Sequence, residues 1–516
     1  MPALLPLISF LLLPPAPEYA IAGTVVDAVS GRPLAQARVY LASSARQSIA
    51  APVVTGADGR FRFAGLPADK YSLSAERLGY ARQAFGAHRL YARYSTGIVV
   101  GEHDRADNVV FRMIPGAVIT GTVTEQQGEP VPGMTVAALQ LAGPAKQHRF
   151  INRFSQSTDD RGEYRIPNLP GGTFAVLVSG QPSQEAAARE PVAYTVTWFP
   201  NTTSPDAAAT VKLQPGQETR ADVTVPPVPA ARLFVEAPPA DADTKQYVTL
   251  TAETLSGVPA AVMPSRWLQG SGFVFDRVPV GHYTLHLVRG TRFAAAQEID
   301  VVAPQTRVAI SDAAPARVSI RVAFTGKLPA TSPVSVVLQS PSTVMAFGQV
   351  LQPDGNAILP AVLPGRYLPV VSQGGITMAV SSMKVRGAAQ SGIIATIPPT
   401  GQVELDVTVE TSAVDLTGRV TCNGTPRAGA LVMLVQRATW EAIGGYRYDQ
   451  SDSDGSFNWK QVPAGDYFMF AFEEGAPEDY DDPAVIHELM PTAQGLRVTG
   501  DLRQTVKLEL RCAPAR

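Results

Sequence analysis

"DGRFRFAGLPADKYSLSAE", residues 58–76, returns along the chain in four altered copies. They are "DDRGEYRIPNLPGGTFAV" (159–176), "GSGFVFDRVPVGHYTLHL" (270–287), "DGNAILPAVLPGRYLPVV" (354–371) and "DGSFNWKQVPAGDYFMFA" (454–471). Pro67, Pro170, Pro279, Pro364 and Pro463 anchor the comparison. In copies one, two, three and five an aromatic stands six residues before the proline: Phe61, Tyr164, Phe273 and Phe457. A second large apolar residue stands four before it: Phe63, Ile166, Phe275 and Trp459. Alternate positions of a strand share a face, so these pairs point into a core, and Arg60, Arg62, Glu163 and Arg165 point to water. Proline with glycine nearby then turns the chain, and a second strand starts at Tyr71, Phe174, Tyr283 or Tyr467. Gly59, Gly162, Gly355 and Gly455 stand before the first strand in positions that suit a positive φ.

Two strands cannot bury one apolar face by themselves. Each copy is preceded by strands able to cover it. Residues 21–43, 118–140 and 414–436 share a Gly-x-Val start (Gly23/Val25, Gly121/Val123, Gly418/Val420) and a Gly-x-Pro turn (Gly31/Pro33, Gly128/Pro130, Gly424/Pro426). Copies three and four open with "RLFVEAP" and "RVSIRVAF" and are divergent.

The run from Gly23 to Val39, followed by "DGRFRFAGLPADKY", resembles the carboxypeptidase regulatory-like domain. That resemblance implies a transthyretin-like (prealbumin-like) β-sandwich, related to starch-binding-domain-like folds. The expected fold is therefore all-β, with five tandem transthyretin-like (Ig-like) β-sandwich domains in an elongated array. Expected boundaries are 1–20 for a signal peptide, then 21–115, 116–229, 230–313, 314–412 and 413–516. The family supplies accessory domains to peptidases, surface receptors and polysaccharide-handling proteins. A carbohydrate-binding role is implied by analogy of fold alone.

Composition agrees with many short strands. The 516 residues include 43 glycines and 44 prolines, 45% are hydrophobic, and no long segment has helical periodicity. A net charge of -2 gives no basic stripe for nucleic acid. The apolar run 4–13 suits the core of a signal peptide cleaved near Ala20. No positive charge precedes it, and Glu18 stands where a small residue is preferred. The expectation is an exported protein, periplasmic, outer-membrane-associated or secreted, with no transmembrane segment in the mature chain. In that setting Cys422 and Cys512 are expected to form one disulfide.

Catalytic motifs are missing from the sequence. None of the six histidines is followed by Glu three residues on, no Gly-x-Ser-x-Gly occurs, and "TGKLP" lacks the flanks of a phosphate-binding loop. No enzyme, cofactor or metal site is expected. "DQSDSDG" (Asp449, Asp452, Asp454) and the acidic stretch 473–482 lack the spacing of a calcium loop and read as solvated loops. Candidate ligand-binding residues are aromatic: Tyr194 and Trp198 in "YTVTWFP", and Trp440, Tyr446 and Tyr448 around an expected hairpin tip at Gly444 and Gly445. An alternative for each is service in the core. The insertion 77–97 mixes arginines with Tyr80, Phe85, Tyr91 and Tyr94, as for an anionic glycan, a protein partner, or packing back on the sandwich. The expected partner is a polysaccharide or a cell-envelope protein. The alternative is a scaffold whose domains act as spacers.

Overall fold

The computed structural model describes residues 18–43, 50–88, 90–91, 95–102, 104–142, 149–180, 192–240, 245–252, 260–264, 266–267, 272–290, 292–310, 316–326, 333–340, 346–373, 376–411, 413–437, 440, 446–472, 483–499 and 504–510. They form two compact units. The first is Met1–Pro115 with Arg427–Gly429 and Gln450–Gly455, and the second is the remainder.

In the first unit, strand Tyr19–Asp27 lies between two others. Arg60–Leu66 pairs with it antiparallel and Ala106–Met113 pairs with it parallel. The facing sheet is built on Arg38–Ser43 and Asp69–Arg77. Phe61, Phe63 and Tyr71 are buried between the sheets with Ile21, Val39, Leu73 and Phe111, while Arg60 and Arg62 are exposed. The alternation predicted from the repeat is the alternation observed.

The second unit uses the same plan repeatedly. Central strands Ala117–Thr124, Pro227–Glu236, Ala316–Phe324 and Ala413–Cys422 each carry a repeat strand on the antiparallel side. On the other side each carries a later strand in parallel: Glu218–Arg220 continued by Val223–Thr224, then Gln305–Ala309, Gln402–Glu410 and Gln504–Leu510. Separate hydrophobic clusters accompany these sheets. The chain is thus all-β, made of tandem Ig-like sandwiches. Around Ala316–Phe324 the two sheets are joined. Strand Ile376–Arg386 pairs first with Gly365–Gln373 and then with Gln402–Glu410, which makes one sheet of nine strands.

The turn glycine has a physical cause. Gly59 has φ +69°, and a Cβ there would sit 2.6 Å from the Val25 carbonyl oxygen. Its own carbonyl accepts the Val25 N–H at 2.8 Å. Gly162 and Gly355 stand in the same relation to Val123 and Val322. Gly23 and Gly121 serve a different purpose. A Cβ on either would strike the carbonyl of Val109 or Ala221 on the parallel strand, at 1.9 and 2.3 Å. The Gly-x-Pro motif closes the predicted turn, with Val26 bridging Pro33 and Thr124 bridging Pro130.

Each repeat strand bulges after its second core residue, and the core-facing position recurs three residues on: Phe63 to the half-buried Leu66, Ile166 to Leu169, Phe275 to Val278, Leu359 to Val362 and Trp459 to Val462. This resolves the divergent fourth copy. Its core positions are Ala357 and Leu359, Ile358 faces out, and its proline falls one residue late. Tyr367 keeps the aromatic place, buried at 2% exposure. The regular structure outside strands includes one short α-helix among the described residues, Pro483–Leu489.

Candidate functional site

The candidate aromatics are mostly spent on packing. Strand Gly172–Ser179 is buried on both faces: Phe174, Val176 and Val178 face the main core, and Ala175 and Leu177 face outward. Trp198, paired opposite Leu177, lies over that outward face with Ala137 and Leu139 and is 0% exposed. The run "FAVLVS" carried the signal, because a strand apolar at successive positions needs cover on both sides. Tyr194 belongs to the main core of the same sandwich, and its hydroxyl donates to the Glu125 carboxylate. Burial and that carboxylate push its phenol above the ordinary tyrosine value. Neither ring is open to stack on a sugar.

Near the other candidates, Tyr446 is buried and its hydroxyl donates to the Trp440 carbonyl at 2.5 Å. Tyr448 is half-buried, edge-on to Tyr446 at 6.4 Å. Trp440 is half-buried with its ring 5.6 Å from that of His487 on the short helix. Gly444 and Gly445 lie outside the described residues, as do Cys512 and the acidic stretch 473–482. Cys422 is disulfide-bonded.

Five residues of the arginine-rich insertion form strand Tyr80–Ala84. Tyr80 donates to Asp27 at 2.7 Å, Phe85 packs 5.8 Å from Phe111, and the Arg82 guanidinium lies 4.4 Å over the Tyr40 ring. Tyr91 is exposed, and Arg89, Arg93 and Tyr94 lie outside the described residues.

A polar cleft of about 360 Å³ opens beside Thr122, Glu163, Arg165 and Arg220. Its two arginines are paired with carboxylates beside it. Arg220 Nε lies 2.8 Å from Asp222, Arg220 also donates to Thr122 at 3.0 Å, and Arg165 faces Glu218 at 3.4 Å. Among the described residues no group of three His, Cys, Asp or Glu side chains is gathered as a metal would require. No helix there is long and apolar enough to cross a membrane.

The expected solvated loop at 449–455 differs in the structure. Gln450, Ser451 and Asp452 are buried, because the turn is held by bonds from residues 86–99 of the first unit. The sequence shows its acidity and gives no signal of that distant partner.

The carboxypeptidase regulatory-like domain family matches residues 20–104 and 118–226. Those two stretches are successive carboxypeptidase regulatory-like domains. The matched domains are of a regulatory-like rather than a catalytic family. No curated protein matches the chain. Solved structures similar to it include the Bacillus anthracis TIE protein, at 10% identity and TM-score 0.18, over 76% of this chain and 74% of that one. A Streptococcal ancillary pilin is 12% identical, with TM-score 0.19, over 57% of this chain and 99% of its own. The shaft pilin SpaA of Lactobacillus rhamnosus GG is 12% identical, with TM-score 0.21, over 41% and 97%. At these scores the likeness carries no argument about function.

Proposed function

We propose that this is a non-catalytic structural protein of the cell envelope, built of five carboxypeptidase regulatory-like modules bounded near residues 115, 229, 313 and 412, whose task is to carry tension. The parallel pairing of first and last strands supports this reading. When these strands run parallel, the chain comes into a module at one end of the ladder and leaves at the other. Tension then pulls along the strands and loads every ladder bond at once, whereas pulling across an antiparallel pair opens bonds singly. The pairing recurs at Ile21–Asp27 with Ala106–Met113, and around every later central strand. Each backbone bond contributes only about 0.5–1.5 kcal/mol net. Resistance therefore comes from breaking several together, and forced unfolding follows the unfolding rate.

Single-molecule pulling tests this. Tension through the chain ends should rupture the first module at far higher force than attachment at Thr24 and Arg60, which face each other across an antiparallel pair. Equal forces would refute the proposal. Carbohydrate binding is a second reading and narrows to Trp440, which is half-buried where Tyr194 and Trp198 are buried. A polysaccharide retained by the full chain and lost with Trp440→Ala would support it, and retention unaffected by that change would remove it.

A further inference from the structure

We propose that the first unit contains a docking site for a Gln-Ser-Asp-Ser turn, filled in cis by residues 450–453 as a releasable clasp. The residues joined lie 355 positions apart in the chain. Lys70 Nζ stands 2.7 Å from Asp452 Oδ2, and the Gly97 N–H donates to Asp452 Oδ1 at 3.1 Å. The Ser453 N–H donates to the Gly97 carbonyl at 2.9 Å, and the Val99 N–H donates to Ser453 Oγ at 2.9 Å. Gln450 Nε2 donates to the carbonyls of Gly86 at 2.7 Å and Gly429 at 2.9 Å. The His88 ring nitrogen lies 3.0 Å from the same Gly429 carbonyl.

Shape and charge both select this turn. A Cβ at residue 97 would sit 2.5 Å from Asp452 Oδ1 and 2.5 Å from Lys70 Cε, so the carboxylate occupies space that only glycine leaves. The backbone at Gly97 is not in the left-handed region, so its value lies in this approach and not in its φ. The Asp452 side chain is 4% exposed, and a carboxylate so buried requires a cation and a donor, both of which the site supplies. Ser451 and Gln450 are 0% exposed, which excludes bulkier residues in the turn. The clasp consists mainly of polar contacts and adds little apolar core, so it is expected to open well before the sandwiches unfold. It stands whether or not the parallel ladders bear load.

Amide exchange on the full chain tests it, read at Gly97 and Val99. In wild type both amides should be protected, with no dependence on protein concentration. Asp452→Ala should speed exchange at both by about tenfold or more. Gly97→Ala, which keeps an allowed backbone, should do the same at Val99. Amides of Val25 and Val123, inside the sandwiches, should be unchanged in both variants and so report an intact fold. Equal exchange at Gly97 and Val99 in wild type and Asp452→Ala would overturn the proposal. Protection that rises with protein concentration would overturn the cis assignment, since a second copy would then be supplying the turn.

Discussion

In the first module Phe61 and Phe63 reach the core from the strand after Gly59, while in the fourth Ala357 and Leu359 hold those places after Gly355. Both strands bulge at the same point and lead to a buried tyrosine, Tyr71 or Tyr367. In the fourth, Phe347 packs edge-on against Tyr367 at 5.6 Å. The fourth module also fuses its sheets and has the longer parallel ladder, Arg317 to Phe324 against Gln402 to Val409. Turn geometry and the alternation of burial are thus held fixed between the two, while side-chain identity changes.

Truncating the core should break the first module hardest. Phe63→Ala should cost about 3–5 kcal/mol and Leu359→Ala about 2–5 kcal/mol, each read as faster exchange confined to its own module. Reducing the disulfide of Cys422 should weaken the sandwich built on Ala413–Cys422 by about 2–4 kcal/mol and leave those built on Tyr19–Asp27 and Ala316–Phe324 untouched, as urea unfolding with and without reductant would show. Gly59→Ala and Gly355→Ala should cost alike, about 1–3 kcal/mol, because both sit at positive φ against a carbonyl of the central strand. A marked difference would mean that the two turns are not equivalent. Tyr71→Phe removes a hydroxyl that donates to the Pro67 carbonyl at 2.9 Å, and should cost about 0.5–1.5 kcal/mol in thermal unfolding.

The smallest effect concerns pH. Burial alone would raise the Asp27 carboxyl, but hydrogen bonds from Ser30, Tyr80 and Val29 more than offset it and hold it below its ordinary 3.8. A carboxyl lowered in the folded state stabilises above that value, and its contribution is lost as pH falls through the folded value. Phe324 stands at the corresponding place in the fourth module, after Val322 as Asp27 follows Val25. Acid titration should therefore weaken the first module through this group, which the fourth lacks, and Asp27→Asn should remove that component.

Much of this was legible because the repeat is local. Phe61, Phe63 and Tyr71 declare their face by alternation, and Gly59 declares its turn. The proline anchor misled at the fourth copy because Pro364 stands one place later in a turn of the same length, so Gly355 and Tyr367 are the better markers. Nothing nearby announces that the tyrosine hydroxyl returns to the proline carbonyl, as it does at Tyr71, Tyr283 and Tyr467. The parallel ladder was hidden for a simpler reason: its strands are distant in sequence and carry ordinary alternation. The sequence offers Trp198 both as part of an aromatic platform and as a cap on the core. The doubly apolar strand it covers was the clue.

The load-carrying account is tested most directly by pulling the full chain by its ends with and without Leu405→Pro. Leu405 lies in the middle of the fourth module's parallel ladder, opposite Ile320 on one side and Val385 on the other, and proline within such a central strand disrupts its pairing. The account predicts that one rupture event falls sharply in force while the others keep theirs. If every rupture event keeps its force in a variant whose fourth module still folds, the parallel ladder is not what bears the load.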